Sequence, residues 1–85
     1  MSTKQEVIDG ITKYINEEYA GDWTAAFNAE ATDGKIGSTE LQSVLKKARI
    51  GYIVTRTFIA SQIIAAVDTD KDGLISLEEF LKIVQ

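Results

Sequence analysis

The chain of 85 residues contains no cysteine, no histidine and no proline, and only one methionine and one tryptophan. Without cysteine it has no disulfide framework, no thiolate zinc site and no thiol nucleophile. Without histidine it lacks the usual general base and the commonest transition-metal ligand, which sets zinc, copper and haem chemistry aside. Positive charge is also short: 9 Lys and Arg against 13 Asp and Glu leave a net charge of −4, a poor match for nucleic acid or an anionic membrane surface. No apolar run approaches the roughly 18 residues of a membrane span. The opening Met1-Ser2-Thr3-Lys4-Gln5-Glu6 is polar and unlike a signal peptide, so a cytoplasmic location is expected. What the composition does offer is oxygen, the donor that hard cations take.

One domain is all this length accommodates, and so small a domain buries only about 60–65% of the surface its unfolded chain exposes, so a bound metal would help hold it together. Apolar residues recur with a helical period from Lys4 to Tyr19 at Val7, Ile8, Ile11, Tyr14 and Ile15. Ser2 or Thr3 is placed to cap that helix, with Glu6 completing a box from Thr3. Asp22 is placed to cap a short stretch carrying Trp23 and Phe27. The period lapses from Asn28 to Thr39 and resumes at Leu41, Val44, Leu45 and Ala48; Lys46, Lys47 and Arg49 then suit a helix C-terminus, and Gly51 a left-handed stop. The connector Ile50–Val54 is mostly apolar, and Thr57–Val67 is apolar almost all round, as in a helix that is buried or meets a partner. A second polar loop, Asp68–Ser76, precedes a short helix with Leu77, Phe80, Leu81 and Val84 on one face and Ser76 and Glu79 at capping-box spacing.

The outline is helix–loop–helix, twice. Gly34 and Gly73, Ile36 and Ile75, and Glu40 and Glu79 are each 39 residues apart, which marks an internal repeat. The second loop, Asp68-Thr69-Asp70-Lys71-Asp72-Gly73-Leu74-Ile75-Ser76-Leu77-Glu78-Glu79, is similar at every diagnostic position to the calcium loop of the EF-hand family. The resemblance implies an all-α fold: a paired EF-hand with four main helices, room for an extra short N-terminal helix, and a short antiparallel β pairing between the loops through Ile36 and Ile75. It places hand one at about residues 3–50 with loop 28–40, and hand two at about 55–85 with loop 68–79. It implies a calcium ion held by Asp68, Asp70, Asp72, the Leu74 carbonyl, Ser76 and Glu79. The physics agrees: alternate carboxylates can converge on one point, Gly73 permits the sharp turn, and Glu79 is long enough to reach back with both oxygens. Without a cation, such a concentration of carboxylates repels itself. The ligand set corresponds to a dissociation constant of roughly 10⁻⁷ to 10⁻⁴ M.

The first loop departs from the pattern. Counted from Gly34 as its sixth position, it starts with Ala29 and Ala31 where oxygen ligands belong, and Gly37 fills the ninth position. A register starting at Asn28 makes the loop thirteen residues long, and a weaker second site could then be built from Asn28, Glu30, Asp33 and Glu40. Small dimeric EF-hand proteins with enlarged first loops resemble this arrangement loosely. The alternative, a loop that serves only as structural partner to the second, is favoured by its shortage of ligands.

Several roles suit a calcium loop. A sensor exposes apolar surface to a protein partner, here through Ile50–Val54 and Phe58–Val67. With Met1 as the only methionine, a promiscuous Met-lined groove is not expected. A buffer or a calcium-stapled module is the alternative, as is an interaction protein that dimerises through the apolar helix, so monomer and homodimer both remain open. The pairs Glu17-Glu18 and Glu78-Glu79 are adjacent and diverge on a helix, and no nucleophile–base constellation or phosphate loop is present, so no enzyme is expected. The cluster Lys46-Lys47-Arg49 with Arg56 reads either as a contact for an acidic partner or as charge complementing a helix end. Trp23 and Tyr52 read as buried anchors or as binding aromatics.

Overall fold

The structure, a computed structural model, describes residues 4–84. The chain forms α1 (Lys4–Tyr19), α2 (Trp23–Glu30), α3 (Ser38–Lys47), α4 (Ile53–Val67) and α5 (Leu77–Leu81), extended by a 3-10 turn over Lys82–Val84. The expected cap of α1 by Ser2 or Thr3 lies outside the described residues. The extra N-terminal helix is α1 itself, and at 16 residues it is the longest of the five; the short helix is α2, which leads into the first loop.

The start signals work as written. The Asp22 carboxylate accepts from the Ala25 amide at 3.0 Å and begins α2. At α5 the Ser76 hydroxyl accepts from the Glu79 amide at 3.3 Å while Glu79 accepts from the Ser76 amide at 2.9 Å, a reciprocal capping box. At the end of α3 the residue in the left-handed region is Arg49, φ +60°, followed by Gly51 at +69°; glycine alone had been expected there. Arg56 closes this corner by donating Nε to the Ile50 carbonyl at 3.1 Å and Nη2 to the Gly51 carbonyl at 3.2 Å, so its side chain is engaged with its own connector.

The core joins both hands. Ile11 and Ile15 of α1, Leu41 and Leu45 of α3, Ala60 of α4, and the loop residues Ile36 and Ile75 are fully buried. Ile36 and Ile75 exchange both backbone hydrogen bonds, at 2.9 and 2.7 Å, in an antiparallel bridge. The expected loop pairing therefore holds at the residues named for it. Phe80 of α5 meets Trp23 and Phe27 of α2 with ring centroids 5.3 and 5.5 Å apart, which clamps the first helix of one hand to the last helix of the other. Trp23 is thus an anchor, half-buried, whereas Tyr52 is 82% exposed.

The apolar surplus is only partly absorbed. Ile50 is buried against Gly10, where a Cβ would sit 2.8 Å from Ile50 Cδ1. Val54 and Phe58, however, are 84% and 61% exposed, and Ala60 is the one fully buried residue among the described side chains of α4. No helix among the described residues is long and apolar enough to cross a membrane.

Candidate metal centre

Loop two begins where α4 ends. Asp68 is the C-cap of α4 and is buried, and its two oxygens accept from the amides of Lys71 at 2.9 Å and Gly73 at 2.8 Å. Those bonds pull the loop into a tight coil in which Lys71 and Gly73 take positive φ, +60° and +76°. A Cβ at Gly73 would meet nothing within 4 Å, so what glycine supplies there is conformational freedom. Asp72 Oδ1 accepts from the Leu74 amide at 3.0 Å. Asp70 and Asp72 are exposed, and Leu74 keeps its side chain 39% in solvent.

Glu79 closes the loop from the first turn of α5. It is 3% exposed, and every bond to its carboxylate comes from a donor in the loop. Oε1 takes the Ser76 amide at 2.9 Å, and Oε2 takes both the amide and the hydroxyl of Thr69 at 2.8 Å. The Ser76 amide, followed by the Thr69 hydroxyl, holds its carboxyl well below the ordinary value, down to about 2. Glu79 is therefore ionised and ties the first turn of the loop to its last.

The sequence-predicted ligands occupy one loop, but among the described residues no three carboxylates lie close enough together to hold a metal ion. The reason is visible in the hydrogen bonds: Asp68, Asp72 and Glu79 are each turned toward amides of their own loop. The donor chemistry nevertheless fits a hard divalent cation. The carboxylates of Asp68, Asp70, Asp72 and Glu79 and the hydroxyls of Thr69 and Ser76 are concentrated in twelve residues, and the chain has no thiolate or imidazole ligand to compete.

Loop one has become a hairpin turn. Thr32 and Lys35 exchange backbone hydrogen bonds at 2.8 and 3.1 Å, and Asp33 and Gly34 between them have φ +54° and +77°, the signature of a type I′ turn. The second-site candidates are dispersed around it. Asn28 is exposed in α2, Glu30 at the end of α2 is ion-paired with Lys47, and Asp33 is exposed at the turn tip. Glu40 accepts from the Gly37 amide at 2.8 Å and the Thr32 hydroxyl at 3.3 Å, which lowers its pKa. Sequence reasoning treated this segment as a depleted metal loop, although the Asp33-Gly34 dipeptide is itself a hairpin-turn signal.

One feature of the surface adjoins loop two. A groove of about 570 Å³ between α1 and α4 is lined by apolar side chains including Val7, Ile8, Phe58 and Ile63, together with Lys4, Lys82 and Thr69. Among the described residues lining it none is acidic, in a chain of net charge −4.

Two helix–loop–helix units joined by a loop–loop bridge, one loop rich in carboxylates, define a calcium-binding helical pair. A family model of the EF-hand domain pair matches residues 30–85, and the chain belongs to that family, whose domains bind calcium ions. The chain is similar to plastin-1 of Homo sapiens and to plastin-1 of Mus musculus, 34% identical over 83 residues in each case. Each alignment takes in 92% of this chain and 13% of the relative, so the chain spans a small part of the curated proteins it matches. No solved structure matches it.

Proposed function

We propose that calcium binds to the second loop alone, through Asp68, Asp70, Asp72, the Leu74 carbonyl, Ser76 and Glu79, and that binding regulates the engagement of a protein partner at the α1–α4 groove. The supporting observation is the double role of Thr69. Its amide and hydroxyl hold Glu79, and the same residue lines the groove. A change in the partners of Glu79 is thus felt at the groove without a relay through the core. A bound calcium ion supplies two positive charges that offset the repulsion among the loop acids. The lysines Lys4 and Lys82 among its lining residues suit a partner segment whose apolar face is flanked by carboxylates. The domain acts by binding rather than by catalysis, and loop one contributes its backbone bridge and no ligands.

The test is a calcium titration followed by backbone amide NMR with magnesium present, reading Gly73 and Gly34 as reporters of the two loops. The expected result is saturable shifts at Gly73 that extend to Thr69, Ile63 and Phe58, with Gly34 little changed. Shifts confined to loop two would overturn the regulatory part in favour of a buffer or structural staple. Saturable shifts at Gly34 and Asp33 would restore the second site. A mass that doubles on calcium binding would point to a second copy of the chain as the occupant of the exposed α4 face.

A further inference from the structure

The two loops are connected by side chains as well as by the Ile36–Ile75 bridge. Lys35 Nζ of loop one lies 3.7 Å from Asp72 Oδ2 of loop two, one of the proposed calcium ligands. Both partners spring from fixed backbone. Lys35 closes the hairpin with Thr32 through two hydrogen bonds, and the next residue, Ile36, exchanges two more with Ile75. Asp72 is held through its other oxygen by the Leu74 amide at 3.0 Å. The usual weakness of a surface ion pair, two long side chains ordered at an entropic cost, is reduced here because both chain segments are already in place.

We infer that Lys35 is a tethered cation for the second loop, which occupies Asp72 when calcium is absent and lowers the calcium affinity of loop two. The inference rests on the reading of loop two as the calcium site. A single ammonium charge satisfies one carboxylate and repels a divalent ion bound nearby, so calcium must both displace it from Asp72 and tolerate it as a neighbour. In this arrangement the loop that has no ligand set of its own adjusts the loop that has one. Lys35 and Asp72 retain 34% and 40% side-chain exposure, so solvent screens the effect and its size is about three- to tenfold in affinity.

The test is calcium titration calorimetry at low ionic strength on the wild-type domain, Lys35→Gln and Lys35→Arg. Unchanged Ile36 and Ile75 amide signals establish that each variant keeps the bridge. Lys35→Gln is expected to bind calcium about three- to tenfold more tightly, with the gain shrinking in 0.5 M salt, and Lys35→Arg is expected to match wild type. In the calcium-free protein, Lys35→Gln should also move the Asp72 side-chain carboxyl carbon resonance while that of Asp68 stays in place. Affinities of wild type and Lys35→Gln equal within twofold at low salt would sink the inference and leave the calcium site standing. No calcium uptake by any of the three would instead remove the calcium reading, and this inference with it.

Discussion

Replacing Glu79 by Gln tests the clasp that closes loop two, and does so without any metal. The carboxylate accepts three hydrogen bonds, from Ser76 N and from Thr69 N and Oγ1. Its carboxyl titrates at about 2 in the folded chain against an ordinary 4.5. Carried through the linkage relation, that difference bounds its contribution at about 3 kcal/mol near neutral pH. The amide of Gln keeps one acceptor oxygen and turns an N–H toward donors, so part of the clasp survives; about 2 kcal/mol is the expected loss. The direction with pH follows from the lowered pKa. The contribution is present in full above the unfolded value of 4.5 and is lost as pH falls toward the folded value of about 2. Urea unfolding in EGTA, followed by fluorescence of the single tryptophan, Trp23, should show the variant about 2 kcal/mol less stable at pH 7. The gap should shrink to less than half of that at pH 3. In thermal unfolding the neutral-pH difference corresponds to roughly 8–16 °C for a domain of this size. A gap of equal size at both pH values would refute the ionic clasp and reduce Glu79 to an ordinary helix cap.

Two further expectations concern the frame that holds the loops. Phe80→Leu keeps the site apolar but removes the ring that meets Trp23 and Phe27, at a cost of about 1–2 kcal/mol, and the Trp23 emission maximum should shift with the melting temperature; no change in either would show that the aromatic clamp does not join the hands. Gly34→Ala meets no atom within 4 Å but forces φ +77° on a side chain, so calorimetric unfolding should register about 1 kcal/mol of pure backbone strain, with Gly34→Asn costing less. Equal stability of Gly34→Ala and wild type would mean that the turn tip adopts some other conformation.

Loop two and the helical outline were legible because each is encoded locally. A ligand spacing, a capping serine and an apolar period are properties of twelve to sixteen consecutive residues, and the 39-residue repeat aligned Ile36 with Ile75 before any fold was known. The features that escaped are those that depend on a neighbour. Arg56 reads from the sequence as part of a basic cluster facing an acidic partner or a helix end, and only the folded corner brings the Ile50 and Gly51 carbonyls to it. Nothing in the local sequence marks Lys35, whose partner lies in the other hand. The Asp33-Gly34 signal of loop one is local as well, and what it encodes is a tight turn rather than a ligand set.

The closing glutamate shows why resemblance between the loops is weak evidence for metal in both. Glu40 gives one oxygen to the Gly37 amide and the other to the Thr32 hydroxyl; Glu79 gives one to the Ser76 amide and the other to Thr69. The same task, starting the exit helix and tethering the loop behind it, is done twice by hydrogen bonds to the loop's own donors. A glutamate at this position therefore has a structural reason to be present even where Ala29, Ala31 and Gly37 stand at the first, third and ninth positions. The carboxylates that structure does not explain are the informative ones. Asp70 is exposed, and Asp72 spends one oxygen on a local turn and meets Lys35 with the other. Loop one has no counterpart to Asp70, since Ala31 fills that position in the register counted from Gly34. Neither the helix start nor the loop bridge needs Asp70, and it adds like charge to a segment already crowded with it. A bound cation turns that repulsion into attraction, which makes Asp70, more than Glu79, the residue whose presence distinguishes a calcium loop from a capped turn.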